Sequence, residues 1–353
     1  MLDVFKIHTG FNPAYLNQEY IPSRQSERWD GDIKLLRKLG LPKAFSKADY
    51  NDLLRLRSTG SASGGSGFAP VLGAHLTFSA PKGVSIAALL GGDVRLFDAH
   101  EQAVDQTLQF LKENLPCRHT HASVTRDVPG GAIAMAVVHR CHSRALDPHL
   151  HTLITVANGA MLGDGVVRGL NMKWFFDTKF LLGGIYLAAL QRKVACFGYT
   201  VEILPEGLFD IQEVPQPLRD RFSRRSEQIA EAISKITNKA KADLPSSSIR
   251  VFTEKSTPKL PTKSYNDVFQ EWSSRLVRLG LRIDPPTEFN NSKNVTAPIS
   301  HSAALINAYL ELQVSKRNGV KVASLLLTAL RSDHRYCIDD LVSGVAQLVD
   351  SGA

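Results

Sequence analysis

Apolar residues recur along this chain with two periods, one typical of β-strands and one typical of α-helices. The clearest strand signal is a pair of apolar stretches, 131–140 and 150–157, separated by turn-forming residues at 144–148. These stretches predict two neighbouring antiparallel strands. Further strands are predicted at 2–8, 73–78, 121–126, 201–204 and 208–211, with a hairpin near 160–167.

Helical periods fill most of the remaining chain. The sequence Ser79-Ala80-Pro81-Lys82 predicts a helix start, with Ser79 as the cap and proline in the first turn. Gly198 follows a long helical pattern and is placed where a glycine cap belongs. The predicted helices are 33–39, 47–56, 82–90, 94–115, 173–197, 222–238, 265–279, 303–312, 320–330 and 338–349. The polar, glycine-rich segment 58–67 is predicted to be a flexible loop.

Histidines concentrate in the predicted hairpin between 131 and 157. Four of the 11 histidines fall within 13 residues, at His139, His142, His149 and His151. Because residues i and i+2 of a strand share a face, His149 and His151 can contact one ion together. A third ligand must then come from the neighbouring strand. The similarly spaced His119 and His121 have no nearby third histidine, and we interpret them as structural.

Composition adds a preference for an anionic partner. The 353-residue chain has a net charge of +8 and a pI of about 9.3, which suits a polyanion. The four cysteines are widely spaced without a CxxC pattern, as expected of reduced thiols. The N-terminus lacks the apolar stretch of a signal peptide, and no apolar run is long enough to span a bilayer. We therefore expect a soluble, cytoplasmic protein that does not insert into membranes.

Several ordered motifs between residues 1 and 284 resemble those of one protein family. The segments LTFSAPKGVS at 76–85 and DPHLHT at 147–152 are the most specific. They are accompanied by Ala14-Tyr15, ERWDG at 27–31, FSRRSEQI at 222–229 and Glu271-Trp272. Together these residues resemble the relaxase domain of MobF-class conjugative relaxases, which nick and transfer single-stranded plasmid DNA.

The resemblance implies an α+β fold, in which helices flank a central antiparallel β-sheet. It implies a relaxase domain at 1–290, with 215–290 as a mobile part that closes over DNA. Residues 291–353 are then a small helical, helix-turn-helix-like segment. Implied partners are single-stranded DNA with a hairpin at the nicking site, other relaxosome proteins and conjugation-coupling proteins, bound by a monomer.

The resemblance also implies a mechanism. A tyrosine hydroxyl attacks the scissile phosphate, which gives a 5′-phosphotyrosine and a free 3′-hydroxyl, and a histidine-bound divalent metal ion (Mg, Mn, Ni or Zn) stabilises the developing charge. Tyr15 occupies the position of the family's nucleophile. Tyr20 is either a second tyrosine for terminating transfer or a packed aromatic residue.

The chain departs from the family pattern at its metal site. The family's three histidines fall at Arg140, His151 and Leu153, so one ligand is retained in place. The aspartate that normally orients a metal ligand is replaced by His75.

Antiparallel geometry suggests a substitute set of ligands. If Arg140 is opposite His151, then His142 is opposite His149, one pleat closer to the turn. We therefore predict a shifted triad of His142, His149 and His151. Alternatives are a set that includes His75, or the loss of tight metal binding. His139 has the opposite parity and requires a bulge to reach the site.

Basic side chains supply candidate contacts to DNA. Arg140, at the vacated ligand position, is a candidate for holding the scissile phosphate through a bidentate contact. The other candidates are Lys82, at a predicted helix start, and the clustered Arg224, Arg225 and Lys255. Two further functions remain open from the sequence: an origin-binding module that no longer cuts, and a rolling-circle replication initiator that uses the same chemistry.

Overall fold

The structure is a computed structural model of the 353-residue chain, and a part of the chain can be described. The described residues are 1–8, 24–41, 45, 47–55, 71–121, 124–129, 131–237, 263–287, 322–332 and 336–350. Predictions that concern Tyr15, Tyr20, Lys255, the loop at 58–67 and the helix at 303–312 lie outside these ranges.

A six-stranded antiparallel sheet forms the centre of the fold, as the family resemblance implied. Its strands are β1 (Leu2–His8), β2 (Glu27–Gly31), β3 (Val71–Ser79), β6 (Ala132–His142), β7 (Pro148–Met161) and β8 (Val167–Arg168). The spatial order is β1-β3-β7-β6-β2, and β8 pairs with β7. Two hairpins lie outside this sheet: β4 (Pro116–His121) with β5 (Val124–Pro129), and β9 (Val201–Leu204) with β10 (Leu208–Ile211). The histidine-bearing strand β7 is therefore central.

Helices cover both faces of this sheet. The described helices are α1 (Ile33–Lys38), α2 (Lys47–Leu54), α3 (Lys82–Leu89), α4 (Arg95–Asn114), α5 (Met172–Asp177), α6 (Lys179–Cys196), α7 (Gln216–Arg221), α8 (Arg224–Thr237), α9 (Tyr265–Arg278), α10 (Val322–Ser332) and α11 (Ile338–Asp350). Helices α4 and α6 pack on one face through the larger core, and α1 and α2 pack on the other through a smaller core. None of these helices is long and apolar enough to cross a membrane.

Alternation along the strands divides their side chains between the two cores. In β6, Met135 and Val137 pack in the larger core, whereas Ala136 and Val138 pack in the smaller one. Burying both faces of a strand favours a nearly continuous apolar sequence, which explains the unbroken apolar run at 132–138.

Three sequence predictions about element boundaries were wrong. The strand predicted at 121–126 combines the last residue of β4 with the first three residues of β5, and these short and largely exposed strands carry little hydrophobic signal. The helix predicted at 173–197 is interrupted at Thr178, whose hydroxyl donates to the Trp174 carbonyl over 2.7 Å and closes α5. Ser79 does not cap α3, because it is still paired with His151 in the sheet.

The last two described helices pack against the main body. Leu326 and Leu330 of α10 and Leu341 of α11 belong to the larger core, and α10 packs along α6. Gly184 of α6 leaves room for this contact, since a Cβ there would lie 2.5 Å from a Leu327 methyl carbon. The small helical segment predicted at 291–353 remains a prediction as a unit, and its described part shares the core of the sheet domain.

Candidate nucleic-acid processing site

The β6–β7 hairpin places the histidine cluster at one end of the sheet. Arg140 is opposite His151, as predicted, but His142 is opposite Pro148 rather than His149. Between these pairs β7 has two residues, His149 and Leu150, where β6 has only Cys141, so the ladder contains a β-bulge. The predicted pairing of His142 with His149 was therefore wrong, because a bulge shifts the register of the residue pairs beyond it.

The tight turn after β6 contributes to this irregularity. The Ser143 amide donates to the Asp147 carbonyl over 2.9 Å, and the Leu146 amide donates to the Ser143 carbonyl over 2.9 Å. Leu146 has a φ of 56°, a left-handed conformation that is rare for leucine. The turn is held by this local hydrogen bonding and by contacts to α8 and α9.

His149 and His151 form a stacked pair on the half-buried side of β7. Their ring centroids lie 4.6 Å apart, and His151 Nδ1 donates to the His149 carbonyl over 2.8 Å. Because a carbonyl oxygen only accepts, this bond assigns the proton to Nδ1 and leaves the Nε2 lone pair available. Burial lowers the pKa of His151 to about 3 and lowers the pKa of His149 well below its usual value. Both rings are therefore neutral at pH 7.

His142 has the same tautomer. It is buried, and its Nδ1 donates to the Ser143 carbonyl over 3.1 Å, which leaves Nε2 as an acceptor. Burial lowers the pKa of His142 as well. A neutral imidazole whose Nδ1 is bonded to a carbonyl is the usual form of a histidine metal ligand.

The neutral imidazoles of these histidines are suitable ligands for a divalent cation, but their side chains do not converge on a common point where one ion could bind. Within the described ranges, no three histidine, cysteine or carboxylate side chains are grouped closely enough to hold a metal ion. The bulge displaces His149 from the position that the shifted triad required. The triad of His142, His149 and His151 remains a prediction, and the arrangement seen here does not complete it.

Arg140 occupies the vacated ligand position and is already bonded. Its side chain is fully buried, and one guanidinium nitrogen donates to Glu27 Oε1 over 2.9 Å. A second nitrogen donates to the His139 carbonyl over 2.6 Å. Arg140 thus joins edge strand β2 to β6, and its contact with a scissile phosphate remains a prediction.

His75, which replaces the family's aspartate, lies away from the histidine pair along the sheet. It is opposite Thr155, and its Nδ1 is 3.1 Å from the Thr155 hydroxyl. The same hydroxyl is 2.6 Å from the Tyr50 hydroxyl of α2. Burial lowers the pKa of His75 to about 3. The role of His75 as a metal ligand is untested, and its cross-strand neighbour is a threonine rather than His149 or His151.

His139 points to the face of the sheet opposite the histidine pair, as its parity in the strand predicted, and its role as an additional site residue remains a prediction. Arg28 donates to His139 Nε2 over 3.3 Å, and His139 Nδ1 is 2.8 Å from the Thr152 hydroxyl. That hydroxyl is 2.8 Å from Nε2 of His100 in α4, whose Nδ1 is 2.8 Å from the Tyr186 hydroxyl in α6. Strand parity indicates the same outcome, because an odd position in β6 faces the larger core.

This buried polar chain was not foreseen in the sequence. His100 and Tyr186 lie in separate helices, where the sequence shows only an isolated histidine and an ordinary helical residue. Thr152 connects them and is the neighbour of His151 in β7. These hydrogen bonds hold β7 on the face of the sheet opposite the His149–His151 pair.

A second unforeseen feature fastens α8 and α9 to the β6–β7 turn. The buried carboxylate of Asp147 accepts from the Arg224 amide over 2.8 Å and from Arg224 Nε over 2.9 Å. It also accepts from Arg275 of α9 over 3.0 Å, and Trp272 Nε1 donates to the Leu146 carbonyl over 2.7 Å. The guanidinium of Arg224 is engaged by Asp147 and Glu271, and its contact with DNA remains a prediction.

Other basic residues surround the histidine pair. Lys82 Nζ donates to the Pro148 carbonyl over 2.8 Å, and burial lowers the pKa of Lys82 to about 8. Arg225 is half-buried, and its positive charge acts on both His149 and His151. Arg144 is exposed in the turn and acts on Arg225. The site therefore carries a concentration of positive charge beside neutral imidazoles.

Comparison with known proteins identifies the family. A family model described as TrwC relaxase matches residues 10–279. The multifunctional conjugation protein TraI of Escherichia coli is 32% identical over 229 residues, which are 61% of this chain and 13% of that protein. TraI of Escherichia coli strain K12 is 29% identical over 279 residues, which are 75% of this chain and 15% of that protein. The matched part thus spans about 13 to 15% of the length of these relatives.

Solved structures share the fold. The conjugative relaxase TrwC in complex with oriT DNA, in its metal-bound form, has a TM-score of 0.72 and 25% identity, and the match covers 80% of this chain and 100% of that chain. TrwC with a 27-mer DNA that comprises the recognition hairpin and the cleavage site has a TM-score of 0.70 and 25% identity over the same shares. From the match of the family model to most of its length, the chain belongs to the TrwC relaxase family.

Proposed function

We propose that this chain nicks single-stranded DNA at a specific site and transfers the cut strand during conjugation. The observation that carries the proposal is the family match over 10–279, which includes the β6–β7 hairpin with His149 and His151. The fold supports it, since the matched TrwC structures hold oriT DNA. The positive charge beside the histidine pair suits a phosphate backbone.

The proposed reaction is a transesterification. The hydroxyl of Tyr15 gives up its proton as its oxygen forms a bond to phosphorus, and the bond from phosphorus to the 3′ oxygen breaks. The leaving 3′ oxygen takes up a proton, and the 5′ phosphate stays on the tyrosine. One phosphodiester bond is exchanged for another, so a 3′-hydroxyl can reverse the step and rejoin the strand. In this proposal Tyr20 serves as the second tyrosine.

A divalent metal ion is a further part of the proposal. The candidate ligands are the Nε2 atoms of His142, His149 and His151, and such an ion supplies positive charge to a phosphate oxygen. The tautomers of His142 and His151 support this role, while the bulge at His149 counts against the arrangement seen here. Metal titration of the wild type and of His149→Ala decides whether the triad forms.

An origin-binding module without cleavage is the second candidate function. It is favoured by the replacement of two family ligand positions by Arg140 and Leu153. Arg140 is bonded to Glu27, and Leu153 packs in the smaller core, so neither position offers a ligand in the described residues. A rolling-circle initiator has no observation of its own in its favour here.

Covalent capture from a random library tests the proposal and finds the target sequence in the same experiment. The wild-type chain is incubated with labelled single-stranded oligonucleotides of random sequence, with each candidate metal in turn. We expect a labelled band that survives denaturing electrophoresis, and sequencing of the retained strands gives the site. Tyr15→Phe should abolish this band, whereas Tyr20→Phe should retain the first cleavage. Tight binding without an adduct would support the origin-binding module instead.

A further inference from the structure

Arg225 of α8 carries a half-buried guanidinium, and no counter-ion for it is found among the described residues. Within the described ranges it forms no hydrogen bond or ion pair. Buried arginines elsewhere in those ranges are held by carboxylates: Arg140 by Glu27 over 2.9 Å, and Arg219 by Glu202 over 3.0 Å. Removing a guanidinium from water without a partner costs free energy, so an unpaired one is unusual.

Arg225 experiences repulsion from another positive charge. Arg144 is the charged group that most affects it, and burial together with this repulsion lowers the pKa of Arg225 to about 10. The cations acting on His149 include Lys82 and Arg225, and those acting on His151 are Arg140 and Arg225. No carboxylate is among the leading influences on Arg225 or on either histidine in the described part of the chain. The local field therefore favours an anion supplied from outside.

The position of Arg225 is fixed by its neighbour. Arg224 binds Asp147 through its backbone amide and its side chain, so the first turn of α8 is fastened to the β6–β7 turn. Lys82 is fastened to the same hairpin by its bond to the Pro148 carbonyl. The guanidinium of Arg225 is therefore positioned where its charge acts on the histidine pair, and within the described ranges no bond occupies it.

We infer that Arg225, assisted by Arg144, binds the DNA backbone phosphate that lies against the His149–His151 pair. A guanidinium can donate two parallel hydrogen bonds to the non-bridging oxygens of a phosphodiester. This inference rests on the proposed function, under which that phosphate is the one cleaved. It assigns to Arg225 a share of the charge stabilisation that the family's complete metal site would otherwise provide.

The first test is the salt dependence of binding to a mixed-sequence single-stranded oligonucleotide, measured by fluorescence anisotropy. Arg225→Gln should reduce the slope of log affinity against log salt by about 0.7, the value for one lost phosphate contact on a single strand. The matched control is Lys235→Gln, which removes one positive charge from the exposed part of the same helix, where Lys235 pairs with Glu231. The control should keep the wild-type slope. Equal slopes for all three proteins would overturn the inference.

The second test uses the oligonucleotide selected by covalent capture, in single turnover. Arg225→Gln should form the adduct about 100-fold more slowly, as expected when one charge-stabilising donor is removed. Arg225→Lys keeps the charge without the forked geometry and should be intermediate. The melting temperature of Arg225→Gln should equal or exceed that of the wild type, because the native side chain has no bonded partner among the described residues to lose. An adduct rate within about twofold of the control contradicts the inference.

The two proposals fail in different ways. If the wild type forms no adduct while Arg225→Gln still lowers the salt slope, the anion site stands and nicking is rejected. If the wild type forms an adduct and Arg225→Gln matches the control in slope and rate, nicking stands and the role of Arg225 is rejected.

Discussion

The strand face of each histidine at the site can be predicted from the sequence, but its position relative to the neighbouring strand cannot. The facing of His149 and His151 follows from two-residue periodicity, and so does the exclusion of His139 from their side of the sheet. The bulge at His149 was not predictable, since it depends on the turn at Ser143–Asp147 and on which residue of the ladder is left unpaired. The sequence showed which side chains are available at the site, whereas the β-bulge determines how far apart they lie.

Metal affinity provides the direct test of the histidine cluster. If His149 is a ligand, His149→Ala should weaken the binding of Mn²⁺ or Zn²⁺ by about tenfold or more in calorimetric titration, in the range seen for perturbed metal sites. His119→Ala, in the separate β4–β5 hairpin, is the control and should bind as the wild type does. Equal affinity in both variants and the wild type rejects the triad.

The buried network on the other face predicts a pH dependence of stability. Burial, reinforced by Arg28, lowers the pKa of His139 from 6.5 to about 3. Below pH 6.5 the unfolded chain therefore binds a proton at this histidine that the folded chain does not. The free energy of unfolding should thus fall as pH decreases from 6.5 toward 3, by up to about 1.4 kcal/mol per pH unit for this group.

Replacement of His139 isolates that contribution. His139→Gln should flatten the acid limb of the plot of unfolding free energy against pH, measured by urea titration at several pH values. His8→Gln, at the exposed end of β1, serves as the control. A limb as steep in His139→Gln as in the control would show that this histidine is not the source of the acid sensitivity.

At the level of elements, the strands of the main sheet were easier to predict than the contacts between elements. Alternating or continuous apolar patterns identified β3, β6 and β7 because burial on the sheet leaves a strong periodic signal. The attachment of α8 and α9 to the β6–β7 turn was not foreseen, since it depends on long-range bonds from Arg224 and Arg275 to one aspartate. The presence of an arginine in the sequence does not indicate whether its side chain binds DNA or pairs with a buried carboxylate.

Asp147 is expected to be the main fastening point of these two helices. Asp147→Asn removes the charge that pairs with Arg224 and Arg275 and should lower the free energy of unfolding by about 3 kcal/mol, as for other broken buried pairs. Asp177→Asn, which breaks an exposed pair with Lys173 in α5, should cost less than about 0.5 kcal/mol. Similar costs for the two variants in urea titration would refute the fastening role.

At the level of the whole molecule, the described C-terminal helices are part of the same body as the sheet. The composition shift after 284–286 suggested a boundary, yet α10 and α11 bury Leu326, Leu330 and Leu341 in the larger core. A sequence pattern shows that a helix has an apolar face but not which partner covers it. That information comes from the groove over Gly184 in α6, which the sequence alone does not reveal.

Shared packing predicts shared unfolding. Leu330→Ala should destabilise the protein by about 2–4 kcal/mol and shift one cooperative transition that includes the sheet. Val342→Ala, on the exposed side of α11, is the control and should leave the transition nearly unchanged. A separate, earlier transition in Leu330→Ala, with the main transition unmoved, would indicate an independent helical unit.

The most direct measurement of nicking by this chain is mass spectrometry of the peptide that carries the DNA after covalent capture. We predict a nucleotide linked through its 5′ phosphate to Tyr15, formed by the wild type and lost in Tyr15→Phe. A chain that binds the single strand but yields no linked peptide, or that carries the nucleotide on another residue, would contradict this mechanism.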